Sequence, residues 1–125
     1  WFVPDHNKRV FVDGECDLVC TIGYNPARLT KGRALSDVDL RLVITNLCVM
    51  DFGGPDYQMR VVSLHPGVEI EEVVEKTSFD LCIPDNIATT PAPTVEQLAV
   101  IAEIDPHNLR AKQLKDNPAG VRAAS

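Results

Sequence analysis

The sequence predicts an α+β fold with a mixed sheet, and three observations support this class. Short runs of β-branched and aromatic residues occupy the first half of the chain, whereas helical spacing of apolar residues begins only near residue 70. Two apolar runs flank the turn sequence Gly-Gly-Pro-Asp at residues 53–56, which predicts an antiparallel hairpin and excludes an all-parallel sheet. With 125 residues, 45% of them hydrophobic and 24% charged, the composition is that of a globular domain or part of one.

Charge and hydropathy exclude two classes of partner. The chain has 12 Lys and Arg against 18 Asp and Glu, a net charge of −6, whereas binding to a phosphate backbone needs a dense basic surface. The longest apolar runs, residues 42–44 and 47–50, are far shorter than the roughly 20 residues that cross a bilayer, and no signal-peptide pattern is present. We expect no nucleic-acid partner and no membrane span. Because the chain begins with Trp1 rather than Met, we also expect a preceding N-terminal portion.

The first third of the chain predicts three strands and one long loop. Residues 9–12 and 18–22 are β-branched or aromatic runs separated by an Asp-Gly turn, so both are predicted to be strands. Residues 23–36 contain Asn-Pro, two glycines and three basic residues, which favours an exposed loop. Residues 40–46 place apolar side chains on both faces, with Val43 opposite its neighbours, and predict a strand buried on both sides.

The middle of the chain predicts the hairpin and then a helix. An apolar run ends at Phe52, the turn occupies residues 53–56 as a four-residue loop, and residues 57–64 return as a strand. After His-Pro-Gly at 65–67, a set of apolar and small residues recurs at the spacing of one helical face: Ile70, Val73, Val74 and Thr77. Glu71 and Glu72 in the first turn and Lys76 in the last turn suit the helix macrodipole.

The last third predicts a loop, a second helix and a flexible end. Residues 83–93 hold three prolines and no periodic pattern, as in a surface loop. Thr94 and Gln97 have the spacing of a capping box, and the helix behind them is predicted to run to about residue 104, where Asp105-Pro106 ends it. One or two further turns are expected within 109–114, and residues 115–125 are expected to be a flexible tail.

The cysteines predict neither a metal site nor a redox pair. They lie at 16, 20, 48 and 82, and the one close pair has three intervening residues rather than the two of a zinc knuckle. Cys20 and Cys48 lie in apolar runs, where a thiol behaves as a small hydrophobic side chain. Free buried thiols suit a reducing compartment, so a cytoplasmic location is expected.

Among the histidines, His65 is the one candidate for substrate binding. His6 and His107 have no ligand-type residue at metal spacing, whereas His65 closes a strand immediately before a Pro-Gly turn. A structural hydrogen bond from the His65 ring to the turn backbone is the favoured interpretation of its position. The direct role in binding or catalysis is the alternative.

No other pattern assigns a catalytic or metal-binding residue. The acidic cluster at 69–75 is expected to be a solvated helix face rather than an acid/base pair: it comprises Glu69, Glu71, Glu72 and Glu75. Gly53-Gly54 precedes a strand rather than a helix, so it is not a phosphate loop, and no nucleophile elbow occurs. Catalytic residues are therefore predicted to be absent from this chain.

Several ordered segments resemble the C-terminal half of a class I CoA-transferase β subunit. They are LVITNLCVMDF at 42–52, MRVVSLHPGV at 59–68, and the helical segment from 73 to 81 with Thr-Ser-Phe near its end. Upstream, HNKRVFV at 6–12 resembles the segment that precedes this pattern, and downstream PTVEQL at 93–98 with Ile-Asp-Pro at 104–106 resembles the closing helix. Within the family, FGGPD at 52–56 and SLHPG at 63–67 look most like the β subunit of actinobacterial enzymes that open the last ring of the steroid nucleus.

The resemblance implies an α/β, CoA-transferase-like fold in which residues 1–125 are the C-terminal part of a single domain. It implies a heteromeric acyl-CoA hydrolase that cleaves a carbon–carbon bond in a steroid-derived cyclic diketo acyl-CoA. The implied partners are the α subunit and the N-terminal half of the β subunit, with CoA entering as part of the substrate and no separate cofactor. Family β subunits are about twice this length, and the Ser-Glu-Asn-Gly-like motif of true transferases has no counterpart here. The key glutamate is implied to belong to the α subunit.

Two alternatives remain open at this stage. The first is a subunit of a genuine CoA-transferase, in which a glutamate forms a thioester with CoA and moves it between carboxylic acids. The second is a non-catalytic domain that binds a partner chain. The fold is shared between hydrolase and transferase, so the sequence outside this chain is what distinguishes them.

Overall fold

The computed structural model describes residues 1–19 and 23–110, which form a five-stranded mixed sheet with two α-helices. The strand order across the sheet follows the chain order. The strands are β1 (Phe2–Val3), β2 (Val43–Thr45), β3 (Cys48–Asp51), β4 (Arg60–Leu64) and β5 (Ala88–Thr89). The helices are α1 (Ile70–Glu75) and α2 (Val95–Ile104). The predicted class, a mixed sheet with a hairpin and helices toward the end, is confirmed.

The direction of the strands gathers four carboxyl ends at one edge of the sheet. β1 pairs in parallel with β2, and β4 pairs in parallel with β5. β3 is antiparallel to both of its neighbours, β2 and β4. β1, β2, β4 and β5 therefore point the same way, and the residues that follow them lie at a common edge. This edge is the place where sheets of this kind present functional groups.

The core lies on one face of the sheet, beneath α1 and the segment around Phe11. Its buried side chains come from three strands, one helix and two loops: Phe11, Val43, Leu47, Cys48, Met50, Val61 and Val73. Burying a side chain of this kind contributes roughly 1.5–3 kcal/mol each. The core therefore ties α1 to the three central strands.

The β3–β4 hairpin is confirmed, but its connection is longer than the predicted four-residue loop. It spans residues 52–59 and turns at Asp56 and Tyr57, whose φ angles are 50° and 62°. The amide of Gln58 donates to the carbonyl of Pro55 over 2.8 Å and closes this turn. The loop predicted at residues 53–56 covers only the first half of this connection, because the left-handed residues are Asp56 and Tyr57 and β4 begins only at Arg60.

The strand predicted at residues 9–12 is wrong. The amides of Val10 and Phe11 both donate to the carbonyl of Asn7 over 3.0 Å, which makes a turn of this segment. Phe11 then packs into the core, and its carbonyl accepts from the amide of Ser78 over 3.0 Å. The apolar run is thus a buried turn instead of a strand. Of the strand predicted at 18–22, residues 18 and 19 lie outside any strand and the others are outside the described residues.

The strand predicted at 40–46 is shorter than expected and is buried on one face only. β2 contains Val43, Ile44 and Thr45, of which the first and third are buried. Leu42 is 45% exposed and Ile44 is 37% exposed, so the prediction of burial on both sides is wrong. Tyr24 fixes the chain just before β2, because its hydroxyl contacts the carbonyls of Leu40 at 2.9 Å and Val38 at 3.2 Å.

Both helices lie where the sequence predicts them, with two corrections at α1. α1 begins at Ile70 and ends at Glu75, so Lys76 is its C-cap rather than part of its last turn. Val74 is 46% exposed and does not belong to the buried face, whereas Val73 is fully buried.

α2 has the predicted Thr94–Gln97 capping box, with the Gln97 amide donating to Thr94 Oγ1 over 3.2 Å. Asp105 caps its end. The region before it, residues 83–93, is not entirely the loop that was predicted, because it contains β5, which pairs with β4. Most of the further turns predicted within 109–114, and the predicted tail at 115–125, lie outside the described residues. No helix among the described residues is long and apolar enough to cross a membrane.

Candidate functional site

A polar side chain follows or ends each of the four strands that point the same way. His6 comes shortly after β1, Thr45 ends β2, His65 follows β4 and Thr90 follows β5. Hydrogen bonds join all four residues into one continuous network. This network at the carboxyl edge of the sheet is the candidate functional site of the chain.

The ring of His65 is held at both nitrogens. Its Nε2 lies 2.9 Å from the carbonyl oxygen of Thr45, and its Nδ1 lies 3.0 Å from Thr90 Oγ1. A carbonyl oxygen only accepts, so Nε2 carries the hydrogen and donates. In the neutral ring Nδ1 is then an acceptor, and the Thr90 hydroxyl donates to it. The structure thus selects one tautomer of His65.

The predicted bond from the His65 ring to the turn backbone is not what the structure shows. The turn is closed by the main chain, because the amide of Val68 donates to the carbonyl of His65 over 3.1 Å. Gly67, with φ of 82°, occupies the left-handed position that a type II turn requires. The ring of His65 turns away to link β2 with the end of β5. Its role toward substrate stays a prediction.

The network continues from Thr90 to Ser63. Ser63 Oγ lies 2.8 Å from Thr90 Oγ1, and Ser63 is 7% exposed. Because the Thr90 hydroxyl donates to His65, its oxygen accepts from the Ser63 hydroxyl. The hydrogen bonds therefore run in one direction, from Ser63 through Thr90 and His65 to the carbonyl of Thr45.

Thr45 joins this chain of bonds to a second, fully buried histidine. Thr45 Oγ1 accepts from the amides of Leu47 at 3.0 Å and Cys48 at 3.1 Å, which occupies both lone pairs. Its own hydrogen points to Nδ1 of His6 at 3.2 Å, the nearest remaining acceptor. His6 Nε2 donates to Thr77 Oγ1 over 3.0 Å. Every polar atom of the His6 ring is thereby satisfied without a charge.

Burial holds His6 in its neutral form. The residue is 1% exposed and stacks on the ring of Phe11, with centroids 4.1 Å apart. Burial is the main cause that lowers the pKa of His6 to about 4, the charge of Lys76 lowers it further, and Glu72 opposes the shift. Hydrogen bonding also disfavours the protonated ring. The Thr45 hydroxyl that faces Nδ1 has no free lone pair to accept a hydrogen from it.

Cys48 lies beside this network without a reactive environment. Its sulfur is 4.0 Å from His6 Nδ1 and 3.7 Å from Thr45 Oγ1. Burial raises the pKa of the Cys48 thiol, so the thiolate needed for nucleophilic attack is disfavoured. Its predicted role as a small buried hydrophobic residue is confirmed, since it is completely inaccessible.

The remaining sequence candidates lie away from this edge. Of the acidic residues near α1, Glu69, Glu71 and Glu75 are exposed, and partly exposed Glu72 pairs with Lys76 at 2.6 Å. Within residues 1–19 and 23–110, no group of three His, Cys, Asp or Glu side chains could hold a metal ion. His107 is exposed beyond the end of α2. The structure brings His6, Thr45, His65 and Thr90 together and leaves the other candidates apart.

Two threonines of the site occupy the same kind of position as His65, at or just after the end of a strand. A polar residue at the end of a strand was the criterion, and Thr45 and Thr90 both meet it. For Thr90 the sequence carries no such signal, because the proline-containing segment around β5 has the composition of a loop. His6 was identified only as part of a family-like segment, and no local pattern indicates that it is buried.

An apolar cavity of about 220 Å³ lies toward the opposite edge of the sheet. Its lining comes from β1, the start of β2, the hairpin, the buried turn and the segment after α1: Trp1, Val3, Val10, Phe11, Val12, Leu40, Leu42, Val43, Phe52, Met59 and Phe79. None of the lining side chains in the described part of the chain is titratable. The ring of Phe11 separates it from the network, because this ring lines the cavity and also stacks on His6. The cavity and the polar network are therefore distinct features.

Comparison with solved structures defines the fold class. The crystal structure of glutaconate coenzyme A-transferase from Acidaminococcus fermentans superposes with a TM-score of 0.64 at 28% identity, covering 78% of this chain and 38% of that protein. The chain therefore has a CoA-transferase-like fold, as the sequence motifs implied. No protein-family model matches the chain.

Within that class, the chain is similar to subunits of ring-cleaving hydrolases. The IpdB subunit of the cholesterol ring-cleaving hydrolase of Mycobacterium tuberculosis H37Rv is 42% identical over 116 residues, which covers 92% of this chain and 46% of the relative. The crystal structure of Rhodococcus jostii RHA1 IpdAB matches with a TM-score of 0.79 at 37% identity, covering 91% of this chain and 46% of that one. The chain thus spans about half the length of the relatives it matches, and the resemblance stated from its motifs is confirmed.

Proposed function

We propose that this chain is the C-terminal section of the β subunit of a heteromeric acyl-CoA hydrolase that opens a ring of a steroid-derived substrate. The observation that carries the proposal is similarity over nearly the whole chain, at 42% identity, to a cholesterol ring-cleaving hydrolase subunit. The fold agreement with IpdAB supports it independently. The activity requires the remaining part of the subunit and an α subunit, which are the proposed partners.

The proposed reaction is a retro-Claisen cleavage of a cyclic diketo acyl-CoA. Water adds to a ring carbonyl, the adjacent carbon–carbon bond breaks, and its electron pair forms an enolate that takes up a proton. A carboxylate of the α subunit positions the water or accepts its proton, and hydrogen-bond donors stabilise the developing negative charge. No metal or organic cofactor is needed, since CoA is part of the substrate.

The contribution proposed for this chain is a rigid edge rather than a catalytic group. The fully satisfied bonds of His65 and Thr90 fix the ends of β2, β4 and β5 relative to one another. Such a fixed edge holds the backbone that the rest of the enzyme builds upon. The buried free thiol of Cys48 supports the proposal that the enzyme works in the reducing cytoplasm.

A genuine CoA-transferase is the second candidate. Similarity to glutaconate coenzyme A-transferase favours it, as does 33% identity over 63 residues to one of the subunits of a 3-oxoadipate CoA-transferase from Pseudomonas knackmussii. In such an enzyme a glutamate forms a thioester with CoA and passes it between two carboxylates. The lower identity to these proteins than to the hydrolase subunits makes this the runner-up.

One experiment distinguishes the two candidates. The complete heteromeric enzyme is incubated with the cyclic diketo acyl-CoA in isotopically labelled water, and products are followed by mass spectrometry. The hydrolase predicts a ring-opened product with one labelled oxygen in its new carboxylate. CoA transfer to an added carboxylic acid, together with a borohydride-trapped glutamyl thioester, would support the transferase and contradict the hydrolase.

A further inference from the structure

Residues 6–11 form a short segment that lies against the core and contains neither helix nor strand. The rings at its two ends, those of His6 and Phe11, are buried and stack on each other with centroids 4.1 Å apart. Between them Lys8, Arg9 and Val10 are exposed. The segment is therefore attached through its two buried rings, and we call residues 6–11 the clasp.

Polar contacts attach the clasp to the core at both of its ends. At its start, the ring of His6 forms hydrogen bonds with Thr45 at the end of β2 and with Thr77 just after α1. At its end, the carbonyl of Phe11 accepts from the amide of Ser78 over 3.0 Å. The clasp thus joins β2 to the segment after α1, and the His6 ring contributes the contacts on both sides.

The hydrogen bonds of the His6 ring suit its neutral form. Nε2 donates to Thr77 Oγ1, whose own hydrogen goes to the carbonyl of Val73 over 2.8 Å. Nδ1 accepts from the Thr45 hydroxyl, and the oxygen of this hydroxyl already accepts two amides. A proton added at Nδ1 would face this saturated oxygen, and a buried donor without an acceptor is costly. In a detached clasp, water would solvate the charged ring.

The charged groups around the His6 ring lie on or next to α1. Burial is the main cause that lowers the pKa of His6 to about 4, the charge of Lys76 lowers it further, and the charge of Glu72 raises it. On β3, the thiol of Cys48 lies 4.0 Å from Nδ1, and burial raises its pKa, so it supplies no negative charge. The end of β2 and the clasp itself face the ring with uncharged groups, a hydroxyl and a phenyl ring.

We propose that the clasp is a proton-sensitive switch: protonation of His6 at Nδ1 detaches residues 6–11 from the core while β2, β3 and β4 stay paired. These three strands are joined by main-chain ladders to which the clasp does not contribute. Because the ring of Phe11 also lines the apolar cavity, detachment removes one wall of that cavity. The inference does not depend on the proposed function, since it concerns contacts within this chain.

The test is hydrogen exchange of the complete heteromeric enzyme, followed by mass spectrometry between about pH 7.5 and pH 5. Protection factors, which correct for the intrinsic exchange rate at each pH, are compared for the amides of Phe11 and Ser78 and for the ladder amides of β3 and β4. We expect protection of Phe11 and Ser78 to fall by up to about tenfold for each pH unit below 6.5, because the detached state binds one more proton. The ladder amides should keep their protection within about twofold.

Four variants separate protonation of His6 from a general effect of acid. Lys76→Gln removes the charge that opposes protonation, so the loss of protection should begin at higher pH, whereas Glu72→Gln should shift it to lower pH. Glu75→Gln is the matched control, because Glu75 is a carboxylate of the same helix that does not shift the pKa of His6. His6→Phe keeps an aromatic ring that cannot titrate, so protection of its clasp should not depend on pH.

Each contrary result would overturn the inference by itself. An equal loss in the ladder amides would show that acid unfolds the sheet and the clasp together. Constant protection of Phe11 and Ser78 down to about pH 5 would show that protonation does not detach the clasp. Equal shifts in Glu75→Gln and Glu72→Gln would show that net charge, rather than the charge near His6, sets the loss. If His6→Phe fails to fold, the opposite shifts expected for the Lys76 and Glu72 variants decide the question.

Discussion

At the scale of single residues, Thr45 links the two histidines of the candidate site. Its hydroxyl donates to Nδ1 of His6, and its carbonyl accepts from Nε2 of His65, so one residue hydrogen-bonds to both rings. The same hydroxyl accepts two amides at the tight turn between β2 and β3. Thr45 therefore connects both histidine rings to the end of β2.

The first prediction concerns the pH dependence of stability through His6. The pKa of the folded state is about 4, below the ordinary value of 6.5, so the unfolded chain binds the proton more readily between these values. The stabilisation is complete above pH 6.5 and is lost as the pH falls toward 4. It amounts to about 3 kcal/mol by the conversion of one pKa unit to 1.4 kcal/mol.

Urea unfolding between about pH 7 and pH 4.5 measures this effect. We expect His6→Gln to be less stable at neutral pH, because its side chain cannot replace both ring bonds, and to lose less stability on acidification than the unmodified protein. His107→Gln is the control, since His107 is exposed and should leave the pH dependence unchanged. An equally steep loss in His6→Gln would show that other groups cause the acid sensitivity.

The second prediction concerns His65, whose two ring bonds hold β2 and Thr90 together. Removing the ring in His65→Ala leaves the Thr45 carbonyl and the Thr90 hydroxyl without this partner, which costs about 1–2 kcal/mol of unfolding free energy. We expect kcat of the assembled enzyme to stay within roughly tenfold. A loss of kcat above about a thousandfold with an unchanged Tm would show that His65 acts on the substrate, since that corresponds to about 4 kcal/mol of transition-state stabilisation.

At the scale of elements, the β3–β4 hairpin compensates backbone strain with aromatic packing. Asp56 and Tyr57 both have positive φ, a conformation that costs a non-glycine residue on the order of 1–2 kcal/mol. The ring of Tyr57 stacks on Tyr24 with centroids 4.5 Å apart and planes 5° apart. Tyr24 also packs on Phe52 at 5.1 Å. This aromatic cluster joins the hairpin tip to the loop before β2.

The third prediction contrasts Gly54 in the β3–β4 connection with Gly67 in the turn after β4. A Cβ at Gly54 would lie 2.7 Å from the carbonyl oxygen of Gln58 and 2.9 Å from Cys82 Cβ, whereas a Cβ at Gly67 meets nothing within 4 Å. Lack of space disfavours a side chain at Gly54, whereas the positive φ of 82° disfavours one at Gly67. We expect Gly54→Ala to lose about 1–3 kcal/mol, and Gly67→Ala about 1–2 kcal/mol.

Substitution by asparagine separates these two causes. At Gly67, asparagine should be better tolerated than alanine, because its side chain favours the left-handed conformation. At Gly54, asparagine should be worse than alanine, because it is larger. Thermal unfolding of the four variants measures the order, and the same order at both sites would refute the distinction.

At the scale of the whole molecule, one face of the sheet remains uncovered. Phe2 and Ile44 pair across β1 and β2 and are 56% and 37% exposed, and Val62 on β4 is 38% exposed. Parallel strands are usually covered on both faces. Among the described residues this face is left open to solvent, in a chain that spans about half the length of the relatives it matches.

The fourth prediction follows from this partial architecture. We expect the purified chain alone to give no hydrolase or transferase turnover above background, because the network at the sheet edge is internally satisfied and no nucleophile with a base is assembled among the described residues. Liquid chromatography of the acyl-CoA substrate, with the complete heteromeric enzyme as positive control, measures this. Turnover by the chain at the rate of the complete enzyme would contradict it.

The sequence by itself determined the elements whose signals are local. The β3–β4 hairpin follows from a turn sequence between two apolar runs, and α2 follows from the capping box at Thr94 and the stop at Asp105-Pro106. These signals act within a few residues, so they persist in any tertiary context. The family-like motifs also predicted the fold class, which the similarity to solved CoA-transferase-like structures confirms.

Only the tertiary structure decided the short strands and the candidate site. β1 and β5 contain two residues each and exist because β2 and β4 supply their hydrogen bonds. Phe11 has the sequence of a strand, but burial beneath the sheet is worth more than its local preference, so the segment turns. The ring of His6 forms a hydrogen bond with Thr77, which lies 71 positions later in the sequence. No local pattern contains such a contact, because its energy is gained only when the folded core excludes water from both partners.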